Sequence, residues 1–162
     1  MKSANRSRAS YLSTADAVAK MGITAKDAFS SNQELIDFAE LVNKQFTISG
    51  TEAAGIDAAM LQLTQAMGSG VLRGEELNSI FEQAPTIIQT IADYLDVPIG
   101  KIREMASEGK ITSTIVKNAM LASADEINAK FESMPMTFAQ VWELAKNIAI
   151  ETLDPIITTI GE

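Results

Sequence analysis

Along most of this chain the apolar residues recur three and four positions apart, and no Val-, Ile-, Thr- or Tyr-rich run alternates convincingly with polar residues. A period of 3.6 gathers residues on one helix face, whereas a half-buried strand needs a period of two. The spacing therefore restricts the chain to helices packed on helices. The expected fold is all-α, an irregular bundle of short helices followed by two longer amphipathic helices. Composition agrees, since aromatics make up only 6% and there are four prolines. The apolar set of Ala, Ile, Leu and Met favours helix over sheet. At 162 residues the chain can bury one real core, and is too short for two full-sized domains.

Caps and breakers divide the pattern. Ser10 or Ser13 can cap a first helix through Met21, with Gly22 as its stop, and Thr24 with Asp27 suggests a short turn through Phe29. Ser31 with Glu34 forms a stronger capping box. It opens a helix carrying Leu35, Phe38, Leu41, Val42 and Phe46, closed by Ser49 and Gly50. Thr51 caps a helix whose first half is small (Ala53, Ala54, Gly55, Ala58, Ala59), which permits close helix approach, and whose face holds Ile56, Met60, Leu63 and Met67. Gly68, Gly70 and Gly74 then mark a turn around Val71, Leu72 and Arg73, where positive φ is expected.

Beyond it, Glu75 and Glu76 suit a helix N-terminus, and Leu77, Ile80, Phe81 and Ala84 form its buried side. Pro85 biases Ala84 away from helical geometry and breaks the helix. The stripe resumes through Ile87, Ile88, Ile91, Ala92 and Leu95 to Asp96, and a short helix with Ile102, Met105 and Ala106 stops at Gly109. Thr112 or Ser113 caps one long helix carrying Ile115, Val116, Ala119, Met120, Ile127 and Phe131 to Met134 and Pro135. Thr137 with Gln140 opens the last helix, with Phe138, Val141, Trp142, Ala145 and Ile148 on its apolar face. This helix is the candidate interaction surface, through Val141, Trp142, Ala145 and Ile148. Its stripe runs to Ile160 without closure, so residues 10–162 read as a helical domain fragment of a longer chain, preceded by a flexible basic flank at residues 1–9.

The absence of Cys and His removes disulfides, thiolates, imidazole bases and histidine metal ligands. The clustered carboxylates (Glu75, Glu76, Glu82; Asp93, Asp96) read as solvated faces and helix-end charges. No catalytic residue, cofactor-binding residue, metal ligand or small-molecule substrate is expected, so the chain reads as a non-enzyme. The glycine turn lacks the Lys-Ser/Thr ending and preceding strand of a phosphate-binding loop. Residues 1–26 hold five basic and one acidic side chain, a balance of +4, while residues 27–162 carry −12. An acidic body repels phosphates, making DNA an unlikely partner. The competing reading is a helix-turn-helix regulator over residues 87–120, with Lys101 and Arg103 on its second helix beside Glu104 and Glu108. No apolar run approaches the ~20 residues of a membrane span, and no secretory leader is visible.

One ordered set of short pieces resembles a known family. Gln62 to Ala66, the turn Ser69, Gly70, Val71, Leu72, Arg73 and Gly74, then Glu76, Leu77 and Asn78 are followed by Ala84-Pro85, Ile91 to Leu95 and Ser107 to Thr112. Gly22 to Phe29 and Thr137 to Trp142 fit as well, so the likeness covers most of the chain. This pattern is similar to the N-terminal region of phage tail tape measure proteins, with Gly70, Arg73, Gly74, Pro85 and Gly109 as its turn and break residues. The resemblance implies a mostly helical structural protein, in which chain length sets tail length and tail-tube subunits polymerise around it. It implies tail-tube and tail-assembly-chaperone partners, self-association as a further expectation, and a place in the virion tail assembled in the bacterial host cytoplasm. At ~1.5 Å per residue one unbroken helix of this length reaches only about 240 Å, so a ruler function belongs to a longer parent chain.

Overall fold

The computed structural model describes residues 11–135 and 144–149. Among them the regular structure is helical: α1 (Tyr11–Thr24), a 3-10 turn (Lys26–Ala28), α2 (Asn32–Ile48), α3 (Ala53–Ser69), α4 (Gly74–Gln83), α5 (Pro85–Leu95), α6 (Ile99–Ser107), α7 (Ser113–Ala122) and α8 (Ala124–Glu132), with residues 144–149 also helical. The all-α expectation holds. α1 packs on α2 and α3, α3 on α4, and α5 on α4 and α7, while α2 lies against α7 and α8. One core unites them. Phe38, Phe46, Met21, Leu63, Met67, Leu72, Ile80, Ile88, Ile91 and Ile102 are among its largest fully buried members.

Helix ends follow local chemistry. Ser31 Oγ accepts from the Glu34 amide at 3.1 Å, one half of the expected box. The Glu34 carboxylate reaches one residue further back than expected, accepting from the Ser30 amide at 3.0 Å and the Ser30 hydroxyl at 2.9 Å. At the other end of α2, Gly50 takes φ 69°. The Thr51 amide then reaches the Phe46 carbonyl and the Gly50 amide that of Thr47, both at 3.0 Å. These two bonds are a Schellman closure, which satisfies carbonyls that the helix leaves orphaned. Asp96 (φ 55°) and Gly109 (φ 71°) end α5 and α6 in the same left-handed way.

Four local expectations change in the folded chain. Gly22 does not stop α1, because continuing to Thr24 carries Ala25 into the core. Thr24 does not cap the next turn; its hydroxyl bonds back to the Lys20 carbonyl at 2.8 Å. Thr51 does not cap α3, whose N-cap is Glu52, but donates across to the Gln83 carbonyl. The long helix after Thr112 is divided at Ser123 (φ −98°, ψ 9°) into α7 and α8. No glycine or proline causes this break. The second longer helix, from Thr137, lies outside the described residues except for 144–149, and α2 and α3 are the longest described helices at 17 residues each.

Small residues on α3 do permit the close approach read from them. A Cβ on Gly55 would collide with the Gln83 side chain of α4, and one on Gly68 would sit 3.1 Å from Thr24. The Gln83 atoms met at Gly55 are the far end of a flexible side chain, which can turn aside. On its other side α2 is followed by α7 and α8 in parallel: Lys117 meets Glu34 at 2.9 Å and Asn128 meets Lys44 at 2.6 Å.

Candidate functional site

The five turn and break residues all lie at helix joints, and tertiary hydrogen bonds connect two of those joints. Gly70 caps α3 with φ 93°, its amide bonded to the Ala66 carbonyl at 3.1 Å. The chain then runs extended for a few residues, and Val71 forms an antiparallel bridge with Thr112. The Leu72 amide donates to the Ile111 carbonyl at 2.7 Å, and the Ser113 amide to the Gly70 carbonyl at 2.9 Å. Ser113 Oγ adds a bond to the Met67 carbonyl at 3.0 Å, holding an end carbonyl of α3. Leu72 and Ile111 are fully buried beneath this bridge. Two turns distant in sequence are thereby stitched into one knot, from which α4 and α7 both depart.

Arg73 and Gly74 lead out of the knot. The Arg73 amide donates to Glu76 Oε2 at 3.2 Å, but an arginine side chain has no oxygen to return the cap bond. Gly74 is the first residue of α4 and keeps an ordinary φ; of the glycines around this turn, the left-handed one is Gly70. Pro85 stands at the far end of α4, about 15 Å away for a helix of this length. There Ala84 (φ −146°, ψ 73°) breaks the chain and Pro85 begins α5, where its missing N–H costs nothing. Gly109 serves the α6 exit, with the Lys110 amide bonded to the Met105 carbonyl at 2.9 Å. The structure thus joins the Gly70 turn to the segment after Gly109, and leaves Pro85 apart.

This arrangement leaves little free chemistry. Ser69 Oγ bonds to the Ala66 and Val71 carbonyls, and the glycine turn's backbone groups serve the bridge instead of a phosphate. Among the described residues no three acidic side chains converge as a metal site. A cleft of about 260 Å³ between α1, α2 and α3 pairs an apolar floor of Ala17, Ile56 and Met60 with Asp16 and Lys20 on its rim. Lys20 is already bonded to Asp16 at 3.0 Å.

The helix-turn-helix reading meets specific obstacles at α5, α6 and α7. Lys101 pairs with Glu104 at 2.9 Å and Lys110 with Glu108 at 2.7 Å. The Arg103 guanidinium lies over the Phe81 ring at 5.6 Å. Lys117 is turned inward to Glu34, with 13% of its side chain exposed. The Glu108 carboxyl is held below the ordinary carboxylate range by its hydrogen bond to Lys110, which is correspondingly raised. These cations are matched within the protein, and no strip of free positive charge runs along α6. The helix-turn-helix reading is not favoured.

Two features escaped the sequence reading. The Val71–Thr112 bridge had a signal, because each glycine turn is followed by paired apolar or β-branched residues, Val71-Leu72 and Ile111-Thr112. Lys44 had little: it looks like an ordinary polar position on α2, yet it is 6% exposed. It is held by Asn128, by Glu40 at 3.5 Å, and above the Phe131 ring at 5.3 Å.

Of the candidate interaction helix, Val141 and Trp142 lie outside the described residues. In the helical residues 144–149, Ala145 is exposed and Ile148 is 58% exposed, while Asn147 is 2% exposed. Here the apolar face points to solvent and a polar residue points in. No helix among the described residues is long and apolar enough to cross a membrane.

A family model described as "Tape measure protein" matches residues 1–156. No curated protein and no solved structure matches the chain.

Proposed function

The chain belongs to the tape measure protein family and is a phage tail structural domain, and from that premise we propose that it is a folded module of the ruler that sets tail length. The observation that carries this reading is the family match over residues 1–156. It is supported by a fold in which the glycine turn at Gly70 is taken up by backbone hydrogen bonds to the segment after Gly109. The knot at Gly70 and Ser113 keeps the module compact, while the measuring is done by the much longer parent chain. A globular domain of this size cannot span a tail, given ~1.5 Å per residue even in an unbroken helix.

The parent chain engages tail-tube subunits, which polymerise around it, and tail-assembly chaperones, which cover its apolar helices before assembly in the host cytoplasm. Ala145 and Ile148, with Val141 and Trp142 on the same predicted stripe, are the residues of this domain proposed to meet such partners or a second copy of the chain. The domain performs no catalysis and takes no cofactor in this reading. Inserting or deleting helical segments in the parent chain outside residues 1–162 tests the proposal. Tail length measured by electron microscopy should change in proportion to the residues added or removed, and tails of unchanged length would refute it. Purified domain should leave duplex DNA unshifted at low salt; a shift that weakens steeply with salt would restore the regulator reading.

A further inference from the structure

α5 and α8 both lie against α2, and a polar cleft of about 60 Å³ is formed among the three. Buried Gln45 of α2 lines it together with the half-buried Thr90 of α5, and buried Ile127 supplies an apolar wall. Asp93 of α5 and Glu126 and Lys130 of α8 line its exposed part.

Gln45 is the anomaly in this cleft. It is 3% exposed, and its Nε2 donates to Thr90 Oγ1 at 2.7 Å. Thr90 gives its single hydroxyl proton to the Thr86 carbonyl, at 2.9 Å. It can therefore only accept from Gln45, which fixes which end of the amide faces it. Among the described residues no donor meets Gln45 Oε1. A buried carbonyl oxygen without a donor bears its desolvation uncompensated, so this cleft favours a group that donates.

Charge in the cleft is unmatched in the same sense. Lys130 holds Glu126 at 3.0 Å, whereas Asp93 has only the neutral Gln89 Nε2, at 2.8 Å. One carboxylate and one amide oxygen thus await donors, with a net charge of −1 from Asp93, Glu126 and Lys130. These are too few oxygens to cage a divalent ion, and no three acidic side chains converge among the described residues. The volume suits a side-chain head group and not a cofactor. A guanidinium carries donors in a planar fork, so it can reach a carboxylate and a second acceptor together. Its methylene stem can lie along Ile127.

We propose that the cleft between α2, α5 and α8 receives one arginine side chain of a partner protein. The guanidinium donates to the Asp93 carboxylate and to Gln45 Oε1, with the Glu126–Lys130 pair flanking it. The site uses none of Val141, Trp142, Ala145 and Ile148, and its test does not depend on the tail-length proposal.

The probe is N-acetylargininamide, titrated into the isotope-labelled 162-residue chain and followed by NMR at the Gln45 side-chain amide. Because Gln45 is buried, its signals report occupation of the cleft and not the bulk solution. They should shift saturably, in the millimolar range. Asp93→Asn keeps an acceptor for Gln89 and removes the charge, and should weaken binding roughly tenfold. Lys130→Gln removes the competing cation and should tighten it several-fold. No saturable shift in either the natural chain or Lys130→Gln would overturn the proposal, since the cleft would then hold water alone. Equal binding by Asp93→Asn would overturn it too, as would N-acetyllysinamide binding as tightly as the arginine compound.

Discussion

Lys117 Nζ lies 2.9 Å from Glu34 Oε1, tying the middle of α7 to the first turn of α2, with both side chains largely shielded from solvent. The same carboxylate accepts the Ser30 amide and hydroxyl. One acidic side chain therefore orders the entry to α2 and docks a helix more than 80 residues later in the chain. The Ser30 amide bond, then the Lys117 bond and the Ser30 hydroxyl, hold its carboxyl well below the ordinary value of 4.5, at about 2.

The consequence for pH has a definite sign. Because the folded value is the depressed one, the unfolded chain takes up the extra proton as pH falls. The contribution of Glu34 should be complete above about pH 5 and lost between there and about pH 2. Glu34→Gln should lower neutral-pH stability by on the order of 1 kcal/mol after allowance for solvent screening. Urea titrations of both proteins from neutral to acidic pH check this: their difference should narrow through that window. A constant difference would show that the carboxylate's charge is not the cause.

Ser113→Ala should loosen the knot. Its buried hydroxyl is the group that reaches the Met67 carbonyl, and leaving that acceptor unmatched should cost about 1–2 kcal/mol. The neighbouring hydroxyl of Thr114 offers no substitute, because that residue is exposed. In a urea titration the denaturation midpoint should fall with little change in slope. An unchanged midpoint would mean that the bridge holds without this side chain.

Two glycines should respond in opposite directions to alanine. Gly70 holds φ 93°, so Gly70→Ala forces a side chain into a left-handed turn and should cost roughly 1–2 kcal/mol. Gly100 lies within α6 with nothing within 4 Å of an added Cβ, so Gly100→Ala should stabilise by about 0.4–1 kcal/mol. Thermal melts of the two variants settle the pair.

Ile148→Asp should separate folding from assembly. Ile148 is 58% exposed, so the melting temperature of the isolated domain should move by no more than about 2 °C. If its helix meets a tail partner, the substitution should reduce the yield of complete tails from phage carrying it in the parent chain. Normal yield would remove this face from the set of partner surfaces.

Particular residues show how far the sequence could be read. Pro85 announced the break between α4 and α5, Gly50 and Gly109 their helix ends, and Thr112 the start of α7, whose cap bond to the Ile115 amide is 3.2 Å. Each acts through its own backbone or near neighbours, so its effect is local. Gly22 and Thr51 misled for the opposite reason: their local preferences gave way to burial of Ala25 and to the Gln83 carbonyl of another helix.

Helical spacing and the absence of alternating strands determined the all-α class, and the ordered run from Gln62 to Thr112 determined the family, because both depend on patterns a chain carries along its length. What only the tertiary structure decided was which joints meet and which polar side chains are buried. The Val71–Thr112 bridge and the burial of Lys44 beside Asn128 pair groups far apart in sequence. Their stability comes from desolvation and packing that exist only once the helices have come together.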